Sequence, residues 1–183
     1  MKFSHLKDII HKQIFSKKQI LDLLSQLTKV TNKNGVITDD LFNHFFYILP
    51  SNHLIYVLYN ENTHNSSTNP ENSNKNNDFE LIGIATILIE RKLTHGGESC
   101  AHIEDVVIDS KYRGLSYGKY MIDFLIQKAK EYNCYKIILN CDEQSVGFYE
   151  KFGFQQKNVE MSLYVNHNTD INNDNHNSDT NHN

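Results

Sequence analysis

Two adjacent acids, Glu104 and Asp105, lie in the apolar run His102-Ile103-Glu104-Asp105-Val106-Val107-Ile108-Asp109, and Arg113-Gly114-Leu115-Ser116-Tyr117-Gly118-Lys119 follows it. A carboxylate can draw a proton from a nucleophile, directly or through water. The glycine-bearing segment reads as the turn from a strand into a helix, and such a turn can hold an anion. The first amides of a helix have no intrahelical acceptor, and the helix dipole adds partial positive charge there, so a pyrophosphate is the natural guest. Arg113 adds a charge-assisted grip. Ordinary β–α junctions use the same turn, so the surrounding segments carry the decision. Consecutive strand residues point to opposite faces, so one of Glu104 and Asp105 faces a substrate and the other the structure, unless a bulge turns both into one cleft.

A chain of 183 residues suffices for one domain with a real core. The net charge of −4 offers no basic field for nucleic acid, so a small molecule is the expected partner. Cys100, Cys134 and Cys141 form an odd set without metal-ligand spacing, two of them in apolar, strand-like surroundings; a reduced, cytoplasmic setting is expected. Lys2, His5, Lys7 and Asp8 interrupt the apolar residues of the N-terminus, which therefore does not read as a signal peptide. No segment approaches the roughly 20 apolar residues that span a bilayer, and no membrane partner is expected. His167, His176 and His182 are irregularly spaced in a polar stretch, and no metal centre is expected.

The elements that must position these groups alternate between helix and strand. Ile20, Leu21, Leu23, Leu24 and Leu27 form a helical stripe after Ser16, over about three turns. A second helix starts at Thr38 or Asp39 and runs to Leu49, with Pro50 closing it. Strands are expected over 54–59 and 80–90, the latter with Gly83 at a bulge, and a hairpin turn over 92–99 leads into a strand over 101–108. A helix over 119–132, a strand over 135–141, a helix over 143–151 and a last strand over 160–165 complete the pattern. The stretches from Asn60 to Asn77 and from Asn166 to Asn183 hold almost nothing to bury and are expected to be disordered, one as an insert and the other as a tail of a single domain over 1–165. The order implies an α/β (α+β) fold with antiparallel pairing first and a parallel crossover after it.

The turn Arg113 to Gly118 resembles the coenzyme A-binding motif of the GCN5-related N-acetyltransferase superfamily, with Ser116 where that superfamily usually has glycine. Ser145-Val146-Gly147-Phe148-Tyr149-Glu150-Lys151-Phe152-Gly153-Phe154 resembles its second cofactor segment, with Ser145 where asparagine is frequent. The resemblance narrows to the glucosamine 6-phosphate N-acetyltransferase family over four ordered segments: Ile89 to Leu93, His102 to Val107, Asn133 to Glu143, and Val159 to Met161. It implies a mixed, mostly antiparallel sheet flanked by helices, acetyl-CoA as co-substrate, a phosphorylated amino sugar as acceptor, and a homodimer.

The resemblance also implies roles. Val106, Val107 and Ile108 line the cofactor from the strand, with the Val106 N–H as oxyanion donor; Arg113, Gly114, Leu115, Ser116, Tyr117, Gly118 and Lys119 hold it at the turn. Ser145, Phe148, Tyr149 and Lys151 hold its other arm. Glu104, Asp105 and Asn140 serve catalysis and, with Thr28, Lys136 and Glu160, bind the sugar; Glu104 removes the amine proton through water, and Asn140 stands where the family is commonly acidic. Arg91, Lys92 and His95 are further cations for a phosphate, whereas Ser162, Leu163 and Tyr164 bring no charge where the family often has one. Tyr149 faces the leaving thiolate. Full proton transfer from a phenol of pKa about 10 to a thiolate of pKa about 8.5 is uphill by about 2 kcal/mol, so hydrogen-bond donation is the expected role. Other acceptors, such as a small amine or a protein N-terminus, and a coenzyme A-binding module without catalysis are the rival expectations.

Overall fold

The computed structural model describes residues 1–28, 30, 37–61 and 79–163. The expected Asn-rich insert and tail fall almost wholly outside these residues; Asn60, at the start of the expected insert, belongs to a strand instead. In chain order the elements are β1 (Lys2–His5), α1 (Leu6–His11), α2 (Lys17–Leu24), α3 (Asp39–Ile48), β2 (His53–Glu61), β3 (Phe79–Arg91), β4 (Ser99–Ile108), α4 (Tyr117–Glu131), β5 (Cys134–Leu139) and α5 (Glu143–Glu150). The five strands form one sheet in the order β1-β2-β3-β4-β5. The first three pairings are antiparallel and β4 pairs with β5 in parallel, the arrangement the sequence implied. A parallel neighbour needs a crossover, and α4 supplies it.

Side-chain alternation gives the sheet two covered faces. Ile55, Val57, Ile84 and Val107 meet Ile9, Ile20 and Phe42 of the N-terminal helices. Ala85, Ile87, Ala101 and Ile103 meet Met121, Ile122, Leu125 and Ala129, the apolar stripe of α4. Local signals set the helix ends. Ser16 and Gln19 form a capping box at α2, and the Thr38 hydroxyl accepts from the Leu41 amide at 3.1 Å. Helix α2 is shorter than expected: it stops at Leu24, and Leu27 lies beyond it, exposed.

Two sequence expectations change. Strand β1 and helix α1 go unseen in the sequence because four and six residues are too few to display a period. The strand expected from 160 is absent over Glu160 to Leu163, which carry no pairing. A strand needs a neighbour to satisfy its backbone, and among the described residues this segment has none. Val159, Met161 and Leu163 are 87, 93 and 86 % exposed.

Candidate active site

Strand β4 changes character halfway along. Its parallel ladder with β5 ends at Ile103↔Leu139. On the β3 side, Glu104 pairs with Thr86 but Val107 already pairs with Ile84, so Ala85 alone faces Asp105 and Val106. This is a β-bulge, and Asp105 occupies it with φ 51°, a left-handed conformation that aspartate tolerates better than most residues. The bulge settles the orientation left open by the sequence: the normal alternation fails here, and Glu104 and Asp105 are both exposed where β5 has left the sheet. Asn140 is the first residue past β5, just beyond the last ladder pair, Ile103↔Leu139, and is exposed.

Partial desolvation holds the Glu104 carboxyl above the usual carboxylate range; the Asp105 charge raises it further, His102 opposes and Glu160 adds. A carboxyl raised in this way accepts a proton from an ammonium more readily than an ordinary glutamate does. Val106 and Ile108 pack partly toward α4, while Val107 is buried toward the N-terminal helices.

Beyond Ile108 a short 3₁₀ turn, Ser110–Tyr112, leads to the anion-binding segment. The Asp109 carboxylate accepts from the Lys111 amide at 3.0 Å, and the Ser110 amide donates to Gln26 Oε1 at 2.8 Å, tying the end of α2 to this turn. Arg113 reaches back to the strand, its Nε donating to the Ile108 carbonyl at 3.1 Å. Ser116 precedes α4 with φ 65° and makes no side-chain cap bond, so its hydroxyl is uncommitted. The backbone therefore requires the conformation that glycine adopts freely, and serine costs about 1 kcal/mol there. The first helical hydrogen bond runs from the Tyr120 amide to the Ser116 carbonyl at 3.1 Å, which leaves the amides of Tyr117, Gly118 and Lys119 ahead of it. Gly114, at φ 77°, has no atom near its missing Cβ, and Leu115 beside it is exposed, so an anion has room at this turn. The segment fits the pyrophosphate of coenzyme A.

Helix α5 supplies the other wall. The Asp142 carboxylate caps it, accepting from the Ser145 amide at 2.8 Å, and this fixes the helix that carries Phe148 and Tyr149. The Phe148 ring lies against α4: a Cβ on Gly118 would stand 3.3 Å from it. Tyr149 is half-buried between the rings of Phe148 and Phe154, at centroid distances of 5.0 and 5.9 Å. Burial first, then the Cys141 and Asp142 charges, push its hydroxyl pKa up. A phenol shifted upward keeps its proton, which favours hydrogen-bond donation to a thiolate over complete transfer. Lys151 is exposed just after the helix, and Lys119 pairs with Asp123.

The expected substrate residues are spread more widely. Lys136 is exposed on β5, opposite Cys100, four β4 residues and hence about 13 Å of strand from Glu104. Lys92 is engaged by Glu90 at 2.5 Å, and His95 stacks on Tyr135 at 4.5 Å. Thr28 is exposed beyond α2, and Glu160 is exposed in the segment that lacks strand pairing. Sequence reasoning gave no role to Gln26 or to the pair Glu90–His102, in which His102 Nε2 lies 2.9 Å from Glu90 Oε2. Strand alternation was the usable signal for His102, since it stands two residues before Glu104 and so on the same face.

Residues 38–154 match the model of the Acetyltransferase (GNAT) family. The glucosamine 6-phosphate N-acetyltransferase of Arabidopsis thaliana is 34% identical over 151 residues, covering 81% of this chain and 89% of the relative. The enzyme of that name from Schizosaccharomyces pombe is 41% identical over 87 residues, 48% of this chain and 78% of the relative. The crystal structure of the Arabidopsis enzyme superposes with a TM-score of 0.68 at 31% identity, covering 90% of this chain and 98% of that one. The chain therefore belongs to the GNAT family of acetyltransferases, and within it to the glucosamine 6-phosphate N-acetyltransferases.

Proposed function

We propose that the protein transfers the acetyl group of acetyl-CoA to the amine of glucosamine 6-phosphate, giving N-acetylglucosamine 6-phosphate and coenzyme A for amino-sugar nucleotide synthesis. The observation that carries this reading is the bulge at Asp105, which opens Glu104 and Asp105 toward the gap left by β5, in line with the anion-binding turn at the start of α4. The neutral amine attacks the thioester carbonyl, the C–S bond breaks, and the amine proton leaves through water to Glu104. Tyr149 donates a hydrogen bond to the departing thiolate, which ends as the thiol by taking up through water one proton, the equivalent of the one the amine gave up. Val106, unpaired within the bulge, is the strand residue whose amide meets the developing oxyanion.

Lys136 and the cations around it serve the sugar phosphate in this reading, supported by its exposure on the same sheet face as Glu104. Val159, Met161 and Leu163 alternate as exposed apolar residues, which supports pairing of this segment with a second copy in a homodimer. Free, unbridged cysteines support a cytoplasmic setting. Among the described residues, no helix is long and apolar enough to cross a membrane.

Thiol release from acetyl-CoA, measured with glucosamine 6-phosphate, glucosamine and spermidine, tests the acceptor. Turnover confined to the phosphorylated sugar is expected. Turnover with another amine instead discards the sugar, and silence with all three overturns the catalytic reading.

A further inference from the structure

The closed half of β4 carries a second cluster of chemistry-bearing side chains, one that acetyl transfer does not use. Glu90 on β3 is the direct cross-strand partner of Cys100, and His102 follows on the same face of β4. One carboxylate oxygen, one thiol sulfur and one imidazole nitrogen lie here within 4.8 Å of one another. We propose that Glu90, Cys100 and His102 form a binding site for a borderline-soft divalent cation of the zinc class.

The donor set is the first argument. Carboxylate, imidazole and thiolate together suit Zn²⁺, and three protein ligands leave the fourth tetrahedral position to water. Geometry is the second. Ligands about 2.0–2.3 Å from a zinc ion stand about 3.3–3.8 Å from one another at tetrahedral angles. The Glu90–His102 contact of 2.9 Å needs only slight opening, and Cys100 Sγ lies within 4.8 Å of both ligand atoms. The backbone is fixed by ladders on both sides of β4, so the three Cβ positions are held before any metal arrives.

Lys92 binds the other oxygen of Glu90, Oε1, and leaves Oε2 to the metal. Cys100 is fully buried, but the His102 and Glu90 side chains are 25 and 40 % exposed and give the ion its approach. Binding converts the thiol to a thiolate and releases its proton, with no change of oxidation state.

Co²⁺ is the probe for the test, added to the full chain. A near-ultraviolet thiolate-to-cobalt charge-transfer band is expected at one equivalent, abolished by Zn²⁺ and absent in Cys100→Ser. Histidines elsewhere in the chain cannot produce this band, because it needs sulfur. Competition with a chromophoric chelator is expected to show at least tenfold weaker Zn²⁺ binding in His102→Gln, and about tenfold tighter wild-type binding per pH unit while the thiol is protonated. No band in the wild type, or a band that survives Cys100→Ser, overturns the proposal. If Cys100→Ser does not fold, unchanged Zn²⁺ affinity in His102→Gln overturns it equally. None of these readouts depends on acetyl transfer, so an enzyme silent with every amine leaves the site untouched.

Discussion

The two halves of β4 differ in their neighbours more than in their composition. From Ser99 to Ile103 the strand lies between β3 and β5, and Cys100, Ala101 and Ile103 are buried. From Glu104 to Ile108 it keeps β3 and loses β5, and there it carries a bulge and two exposed acids. A backbone held on both sides has spent its amides on the ladder. A backbone released on one side can turn them toward a substrate, and the bulge re-aims the side chains as well. Closure at one end of the strand makes opening at the other affordable: the rigid half fixes where the free half points.

The largest expected effect would break the contact on which the open half rests. A Cβ at Gly83 would meet Ile108 Cδ1 at 2.6 Å and the Val107 carbonyl oxygen at 2.9 Å, so Gly83→Val should cost about 2–3 kcal/mol and lower Tm by roughly 5–10 °C in thermal unfolding. Next comes Tyr149→Phe. Removing a hydrogen bond to a developing charge should lower kcat about 10- to 100-fold and leave the KM for the sugar nearly unchanged; wild-type turnover would remove Tyr149 from the leaving-group role.

Smaller changes would sharpen the comparison. Ser116→Gly relieves a left-handed serine and should stabilise the protein by about 0.5–1 kcal/mol, seen as a raised denaturation midpoint at unchanged slope; if the hydroxyl holds a phosphate, KM for acetyl-CoA rises at the same time. Glu104→Gln should erase the acid limb of the kcat/KM profile. Because the folded-state pKa of Glu104 is raised, its stabilising contribution is complete below the unfolded pKa and is lost as the pH climbs through the folded value. The glutamine variant should therefore gain stability relative to the wild type as the pH rises from the unfolded carboxyl's pKa through the folded one, and equal pH dependence of Tm in the two proteins would contradict the shift.

The sequence made the fold legible where periods were long or a cap stood out: the α4 stripe, the Thr38 cap of α3 and the irregularity at Gly83 each have a local cause. The register shift falls between Leu58 and Tyr59, against Gly83 and Leu81, next to the residue expected to mark it. Legibility failed where the cause was not local. Strand β1 exists because β2 offers it an edge, and Glu160 to Leu163 lack a strand because nothing in the described chain does so for them. The same divide runs through the site. Glu104 and Asp105 stood out by type and spacing, and Ser116 and Tyr149 by the resemblance to the superfamily's cofactor segments. The direction of Asp105, however, depends on a count of residues across two strands, and the cluster of Glu90 with Cys100 and His102 depends on register between segments ten residues apart.

The contact between Gly118 and the Phe148 ring joins two walls that serve different parts of one molecule. In the reaction proposed above, helix α4 receives the charged end of the co-substrate at its first turn, and α5 presents Tyr149 to the sulfur at the far end. Pressed together without an intervening side chain, the two helices act as one jaw of a caliper, and its gauge is set by the absence of a methyl group. A methyl at position 118 would reset that gauge, so affinity for acetyl-CoA and the rate of thiolate departure should drift together across substitutions at this contact, although neither residue touches the bond that breaks.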